Sequence, residues 1–114
     1  MRRGEVWLIN LDPTVGAEMR KTRSAVIVSS DLVGVLPMRA IVPLTTWQER
    51  YAPAPWMVRL EPTAENGLDQ PSAADTLQVR CVAQPRCVRR LGSLAPTEMD
   101  AIAAALGLVL ELER

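Results

Sequence analysis

The sequence predicts a mainly β fold, in the α+β class, that ends in a single α-helix. Most of the chain consists of short segments of β-branched or alternating apolar residues, separated by turn-forming Pro, Gly, Asp and Asn residues. A repeat at helical spacing appears only near the C-terminal end. The length of 114 residues is that of one typical domain, so we expect residues 1–114 to form a single domain.

The first two predicted strands span residues 5–11 and 23–29. The first has apolar residues on both of its faces and ends at the turn signal Asp12-Pro13. In the second, the β-branched run AVIV comes shortly after Arg23 and requires burial. We therefore expect Arg23 at the rim of a rigid sheet, with its guanidinium free to reach outwards.

A third predicted strand, Met38–Thr46, forms an antiparallel hairpin with the second. A turn centred on residues 34–35 would place Arg23 opposite Thr46 at the open end, where two opposed side chains can converge on one ligand. Pro43 cannot donate a hydrogen bond to a neighbouring strand and favours a bulge. Such a bulge would shift the register but keep Arg23 and Thr46 at the same end.

The loop of residues 47–55, with the sequence WQERYAPAP, places two aromatic rings beside an arginine. Trp47 and Tyr51, next to Arg50, either stack on nucleobases or fold down to anchor the loop, and both interpretations stay open. A short strand is predicted to follow at residues 56–60.

Another strand is predicted at residues 76–82, where apolar and polar residues alternate. Its exposed face would carry Thr76, Gln78 and Arg80. An amide and a guanidinium would then share one surface.

The C-terminal part predicts a helical turn at Pro85, a last strand at residues 88–94, and a helix from Pro96 to about Leu110. One face of this helix is formed by Met99, Ile102, Ala103, Leu106 and Leu110. The opposite face carries Ala101, Ala104, Ala105 and Leu108 rather than charged residues. Because the sheet covers only one face, we infer a partner surface, most simply a second copy in a homodimer.

The net charge is zero at pH 7, so the overall charge does not indicate a nucleic-acid partner. However, every basic side chain except Lys21 is an arginine, whose planar fork matches phosphate. Two clusters either form a phosphate-binding patch or are solvated loop charges. They are Arg20, Lys21 and Arg23, and Arg86, Arg89 and Arg90.

The two cysteines, Cys81 and Cys87, are compatible with a disulfide, a metal pair or packing, and packing is favoured. The chain has no histidine and no C-x-x-C motif, so no metal or other cofactor is expected. Acidic and polar residues interrupt any signal-peptide core, and the longest charge-free apolar run, residues 101–110, is too short to cross a bilayer. The expected location is the cytoplasm, without a membrane partner.

Four segments of the sequence together resemble the MazF/PemK family of toxin endoribonucleases, and the likeness covers nearly the whole chain. They are RRGEVWLINLDPTVGAE from Arg2, KTRSAVIVSS from Lys21, AIVPLTT from Ala40, and Gln78-Val79-Arg80 followed by LGSLAPTEMDAIAAALGLVL from Leu91. The combination is specific in this order and at these spacings.

The resemblance implies a small SH3-like β-barrel with a C-terminal helix, of the type shared by CcdB and MazF, assembled as a homodimer. It implies metal-independent cleavage of single-stranded RNA at short sequences, and a cognate MazE-like antitoxin in a type II toxin–antitoxin system. In the family, the Arg of the KTR element and the Thr that closes the third strand form the catalytic pair. These positions are Arg23 and Thr46.

The resemblance also implies residues that bind RNA. Gly16 and Glu18 fall on a loop that lies over the RNA groove, next to the basic residues Arg20 and Lys21. Gln78 and Arg80 fall on a strand whose exposed face contacts RNA.

The sequence departs from the family pattern at four positions, where the family usually has Pro, Gln, an acid and a polar residue. They are Ser24, Met19, Leu77 and Cys81, respectively. These departures leave Arg23 and Thr46 in place, so we expect activity with altered sequence preference.

Cleavage of this kind uses the 2′-OH of RNA as the nucleophile and leaves a 2′,3′-cyclic phosphate and a 5′-OH. Arg23 is the natural stabiliser of the charge on the phosphate, and Thr46 can donate a hydrogen bond to the same oxygen. Since an arginine stays protonated near neutral pH, it serves better as an acid than as a base. Glu18 is a candidate for the base, whose identity stays open.

Three alternatives remain at this point. The same barrel also serves toxins that inhibit gyrase without chemistry, and a degenerate homologue would bind only its antitoxin. Alternatively, Arg23 forms a surface ion pair and Thr46 is an ordinary strand residue.

Overall fold

A computed structural model describes residues 1–112, which form seven β-strands and one α-helix. The strands are β1 Glu5–Asn10, β2 Thr22–Ile27, β3 Met38–Thr46, β4 Met57–Leu60, β5 Ser72–Asp75, β6 Arg80–Ala83 and β7 Cys87–Ser93, and the helix is α1 Pro96–Val109. A 3₁₀ turn at Gln84–Arg86 confirms the single helical turn predicted at Pro85. The mainly β fold with a C-terminal helix is confirmed.

The strands form one antiparallel sheet that stays unclosed. Its order is β4-β5-β3-β2-β1-β7, and β6 pairs with β3 outside this path. The molecule has nearly equal extents of 35 × 33 × 33 Å, so the sheet curls strongly instead of lying flat. It is an open, barrel-like form of the expected fold, in which β4, β6 and β7 each pair with a neighbour on one side only.

Strand β3 organises the sheet because three strands pair with it. β2 pairs at Ile41–Pro43, β6 pairs over the first half of β3, and β5 pairs from Leu44 to Thr46. The C-terminal end of β3 is therefore held by β5, which fixes the backbone of Thr46 opposite Ser72.

The predicted register of the β2–β3 hairpin was wrong by one residue. The observed pairs are Ala25 with Pro43, Val26 with Val42, and Ile27 with Ile41, a register that would set Arg23 opposite Thr45 rather than Thr46. The cause is the connection, which contains a 3₁₀ turn at Asp31–Val33 in place of a symmetric turn. Pro43 stands in register, so the bulge expected there is absent.

The chain around residues 72–82 differs most from its prediction. The fully buried strand β5 was not predicted, and residues Thr76–Gln78 form a 3₁₀ turn before the short strand β6. The placement of Thr76 on an exposed face was wrong, because its Oγ1 is buried and donates to the Trp56 carbonyl (2.6 Å). The Asp75 carboxylate turns the chain by accepting from the Leu77 N–H (3.2 Å).

Two apolar clusters lie on the two faces of the sheet. The larger one lies beneath α1 and joins Val6, Val26, Val42, Leu60 and Ile102 with their neighbours. The other consists of Ile9, Leu11, Ala25, Ile27, Ile41 and Val82. Apolar burial on both faces of β1, β2 and β3 makes these strands a rigid support for their ends.

The apolar face of α1 was predicted in part. Met99, Ile102 and Leu106 pack against the core, whereas Ala103 and Leu110 are exposed. Ala105, which was predicted on the opposite face, is buried. The buried residues 99, 102 and 105 are three positions apart, and this spacing turns the buried face of the helix away from residues 103 and 110.

From Ala101 onwards, the exposed side of α1 is apolar in the described structure. It carries Ala101, Ala104 and Leu108, and Leu108 keeps 54% of its surface exposed. Within residues 1–112, no helix is both long and apolar enough to cross a membrane.

The Glu5 carboxylate ties the start of β1 to β7. It accepts from the Arg2 N–H (3.0 Å) and Trp7 Nε1–H (2.9 Å) and pairs with Arg90 (3.3 Å). Burial opposes ionisation, but these hydrogen bonds and the charges of the N-terminus and Arg90 hold the pKa of Glu5 below its ordinary 4.5. The stability that Glu5 contributes is therefore present above 4.5 and is lost as the pH falls through the lowered pKa.

We expect Glu5→Gln to lower the free energy of unfolding by roughly 1–2 kcal/mol near neutral pH, because charge-assisted hydrogen bonds are lost. The difference from the wild type should shrink in acid, which urea unfolding at about pH 7 and about pH 3 would measure. Glu65→Gln is the control, since Glu65 is exposed and forms no ion pair within residues 1–112. An equal loss at both pH values would contradict the role of the carboxylate.

Candidate active site

Arg23 and Thr46 lie in one cleft despite the shifted register. This Arg23–Thr46 cleft has a volume of ≈ 210 Å³ and is lined by Arg23, Ser24, Leu44, Thr45, Thr46, Gln70 and Ser72. The start of β2 supplies Arg23, the end of β3 supplies Thr46, and β5 with its preceding loop supplies the rest. The structure thus brings together the two residues that the predicted hairpin placed at one end.

The guanidinium of Arg23 is held from one side only. Its Nε donates to the Arg20 carbonyl (3.0 Å), and within residues 1–112 no carboxylate lies close enough to pair with it. The alternative of a surface ion pair was therefore wrong. The two terminal nitrogens can meet an anion in the cleft.

Thr46 has a partner that the sequence did not reveal. Gln70 Nε2 donates to Thr46 Oγ1 (2.9 Å), so the hydroxyl of Thr46 keeps its own proton for another acceptor. Gln70 is in turn positioned through its main-chain carbonyl, which accepts from Ser72 Oγ (3.0 Å). No local motif indicates Gln70, because only the pairing of β5 with β3 brings it to Thr46.

A larger polar cleft, the arginine cleft, adjoins the Arg23–Thr46 cleft. It has a volume of ≈ 490 Å³ and shares Arg23, Ser24, Gln70 and Ser72 with its neighbour. It adds Asp69 from the loop before β5 and two arginines of β7, Arg89 and Arg90. The two clefts together form a continuous groove with three guanidinium groups.

The two predicted basic clusters are brought together only in part. Arg89 joins Arg23 in the arginine cleft, whereas Arg86 donates to the backbone carbonyls of Asn10 and Asp12. Arg20 and Lys21 are exposed and line neither of these two clefts.

Three of the four remaining predicted RNA-binding residues line a separate cleft, the loop cleft. It has a volume of ≈ 480 Å³ and contains Glu18, Gln78 and Arg80. The amide of Gln78 is used internally: Oε1 accepts from the Met19 N–H (2.6 Å), and Nε2 donates to Asp75 Oδ2 (3.3 Å). Arg80 Nη1 likewise donates to the Leu11 carbonyl (3.2 Å).

These contacts hold the β1–β2 loop in place over the turn before β6. Burial raises the pKa of the Asp75 carboxyl, although the hydrogen bonds from Gln78 and Leu77 oppose that rise. Gly16 has a φ of +61°, and a β-carbon added there would have nothing within 4 Å. Glu18 Oε1 accepts from the Val15 N–H (2.7 Å). Glu18, the candidate base, is not among the residues that line the Arg23–Thr46 cleft.

The two cysteines are free thiols with different environments. Cys87 packs against the second apolar cluster, and burial raises the pKa of its thiol although the nearby charges of Arg39 and the N-terminus oppose that rise. Cys81 is exposed, so packing was the wrong interpretation for it. In the described part of the chain, no three His, Cys, Asp or Glu side chains form a group that could hold a metal ion.

A small curled β domain with a polar cleft at its strand ends matches a known class of toxins. Residues 2–110 match the family described as "PemK-like, MazF-like toxin of type II toxin-antitoxin system". The chain therefore belongs to this family.

The similarity to known proteins extends over nearly the whole chain. The sequence is 34% identical over 118 residues to Endoribonuclease MazF9 of Mycobacterium tuberculosis, covering 98% of each protein. The fold resembles the crystal structure of MazF from Deinococcus radiodurans (TM-score 0.80, 20% identity, 98% of this chain and 97% of that chain). It also resembles a mycobacterial endoribonuclease in complex with its cognate antitoxin (TM-score 0.77, 20% identity, 100% of this chain and 98% of that chain).

Proposed function

We propose that this protein is the toxin of a type II toxin–antitoxin system and acts as an endoribonuclease on single-stranded RNA. The observation that carries the proposal is the convergence of Arg23 and Thr46 in one polar cleft. The full-length likeness to Endoribonuclease MazF9 supports it.

In the proposed reaction, the 2′-OH of one nucleotide attacks the adjacent phosphorus, and the bond to the 5′-oxygen of the next nucleotide breaks. The products are a 2′,3′-cyclic phosphate and a 5′-OH. The protein has to position the strand, stabilise the developing charge, remove one proton and supply another. The terminal nitrogens of Arg23 would bind the phosphate oxygens, and a protonated guanidinium next to the leaving oxygen is the natural acid.

Thr46 would donate its hydroxyl proton to the same phosphate. The donor from Gln70 occupies an acceptor site on Thr46 Oγ1 and so directs the O–H away from Gln70. Gln70 is thus a positioning residue in this proposal.

We propose that the base is a carboxylate in the groove that the Arg23–Thr46 cleft and the arginine cleft form together. Asp69 lines the arginine cleft together with Arg23, whereas Glu18 lines the separate loop cleft. Asp69 is therefore the better-placed candidate for receiving the 2′-OH proton.

Three further parts of the proposal concern assembly and location. We propose that residues 1–114 act as one domain, that the exposed apolar side of α1 is covered by a second copy or a MazE-like antitoxin, and that the protein works in the cytoplasm. Residues on both the loop cleft and the groove would contact the RNA.

The purified protein should cut a labelled mixed-sequence RNA pool in the presence of EDTA, because the proposed chemistry assigns no task to a metal. End analysis should find 2′,3′-cyclic phosphate and 5′-OH termini, and sequencing of the products would give the cleavage preference. Loss of cleavage with EDTA would contradict the metal-independent mechanism. Inhibition of DNA gyrase without RNA cleavage would instead support the non-enzymatic alternative, and binding of an antitoxin with neither activity would indicate a degenerate homologue.

A further inference from the structure

The loop between β3 and β4 carries a stack of aromatic and basic side chains. The Trp47 and Tyr51 rings meet edge to face, with centroids 5.9 Å apart at 75°. Arg59 covers the Trp47 ring at 5.1 Å, and Arg50 covers the Tyr51 ring at 5.0 Å. Trp47 contacts both the Tyr51 ring and the Arg59 guanidinium and is therefore a loop anchor, as one of the two sequence interpretations expected.

Beside this stack lies a mostly apolar cleft, the aromatic cleft. It has a volume of ≈ 390 Å³ and is lined by Arg50, Tyr51, Pro53, Ala54, Trp56 and Met57. Its size lies in the range of small-ligand sites, and a planar heterocycle fits such a mixture of aromatic, aliphatic and guanidinium surfaces. Trp56 keeps 36% of its surface exposed.

The walls of the aromatic cleft are fixed by hydrogen bonds. Turn bonds join the Ala54 N–H to the Tyr51 carbonyl (2.9 Å) and the Met57 N–H to the Ala54 carbonyl (3.1 Å). The Trp56 carbonyl accepts from Thr76 Oγ1 (2.6 Å), which ties the loop to the 3₁₀ turn before β6. The backbone that carries the lining side chains is therefore held in place before any ligand arrives, which lowers the entropy cost of binding.

The aromatic cleft lies close along the chain to the Arg23–Thr46 cleft. Tyr51 follows Thr46 by five residues, and their α-carbons can be at most about 18 Å apart. A single strand of RNA advances about 3.4 Å or more per nucleotide, so a strand held at Thr46 reaches the aromatic cleft within a few nucleotides.

We propose that the aromatic cleft binds one unpaired nucleobase of the RNA, a few nucleotides from the cut, and so contributes to sequence preference. The inference rests on the proposed endoribonuclease function. The base would stack against Trp56 and the guanidinium plane of Arg50, and the charge of Arg50 would face the neighbouring phosphate. An aliphatic peptide side chain would gain less from a cationic wall than a π-system does.

The test measures binding and cleavage separately. Binding would use a fluorescent RNA that contains the preferred cut sequence, with a single 2′-deoxy nucleotide at the cut so that no nucleophile is present. Trp56→Ala should bind this RNA roughly 5- to 150-fold more weakly, as expected for loss of one stacked base. Trp56→Phe should recover most of the affinity, because it restores an aromatic face.

A matched control lies at the opposite end of β3. Leu32 is 91% exposed and lies in the connection that precedes Met38, so Leu32→Ala removes exposed apolar surface far from both clefts. This variant should bind and cleave as the wild type does. Product sequencing should show that Trp56→Ala loses preference at one position flanking the cut.

The outcomes separate this proposal from the proposed function. If the wild type cleaves RNA and Trp56→Ala binds it equally well, the subsite alone is wrong. If nothing is cleaved but binding of a mixed-sequence single-stranded RNA still depends on Trp56, the nuclease assignment alone is wrong. If Trp56→Ala weakens binding of the cognate antitoxin and leaves RNA binding unchanged, the cleft is a protein-docking site and the proposal is overturned.

Discussion

Arg23→Ala is expected to reduce RNA cleavage by at least about 100- to 1000-fold, the usual effect of removing one preorganised donor to a developing negative charge. The reason is that Arg23 is the guanidinium that the Arg23–Thr46 cleft shares with the arginine cleft, and it forms no ion pair with a carboxylate in residues 1–112. Single-turnover cleavage of a labelled RNA would measure the loss.

The fold should tolerate this change. Apart from the bond to the Arg20 carbonyl, the guanidinium makes no hydrogen bond in the described structure, so the free energy of unfolding should change by less than about 1 kcal/mol. Arg2→Ala is the matched control, because Arg2 is an exposed arginine (79% of its side chain) that lines none of the four clefts. An Arg23→Ala protein that still cleaves RNA would disprove the assignment of the site.

The meeting of Arg23 and Thr46 could be predicted from the sequence because it follows from topology. Two strands joined by a short connection pair in antiparallel fashion, so the start of one and the end of the other lie at the same edge. The precise register could not be predicted, because it depends on the 3₁₀ turn at Asp31–Val33, which Ser30 caps through its side chain (3.1 Å). A difference of one residue leaves the ends together but changes which side chains are opposed.

Strand β5 escaped prediction for a different reason. Its sequence, SAAD, has neither β-branched residues nor alternation, and it is a strand because β3 and β4 flank it. With β5 missing, the partner of Thr46 was missing too, since Gln70 reaches Thr46 only across that pairing. The polar network of the site is therefore a product of tertiary structure, whereas its charged residue is visible in the sequence.

The same limit explains the residues of the loop cleft. Alternation predicted a strand with Gln78 on an open face, but the carboxylate of Asp75 accepts hydrogen bonds from the following turn and bends the chain. Gln78 and Arg80, which were predicted to share one face, still line the same cleft, although residues 76–78 form a 3₁₀ turn and not a strand.

The second large effect is expected from Gly92→Ala, because Gly92 on β7 packs directly against the loop that leads to Gln70. A β-carbon there would meet the Glu65 carbonyl oxygen and would lie 2.6 Å from the Asn66 carbonyl carbon, and neither is the end of a flexible side chain. Asn66 is fully buried and holds this loop through the Glu61 carbonyl (2.8 Å) and the Leu68 N–H (3.0 Å). The loop has to move away from β7, which breaks the bond from the Ser93 N–H to the Glu65 carbonyl (2.7 Å).

We expect Gly92→Ala to lower the free energy of unfolding by about 2–4 kcal/mol, the sum of overpacking and a lost buried hydrogen bond. Gly16→Ala separates this clash from backbone strain: Gly16 has a φ of +61° but nothing within 4 Å of its added β-carbon, so it should cost only about 1 kcal/mol. Urea unfolding of both variants measures the difference.

Under conditions where Gly92→Ala is still folded, its cleavage rate should also fall, because a displaced loop moves Gln70 away from Thr46 and the Thr46 hydroxyl loses its orientation. Equal stability of the two variants would show that β7 and the loop separate easily, and would contradict a rigid support for the site.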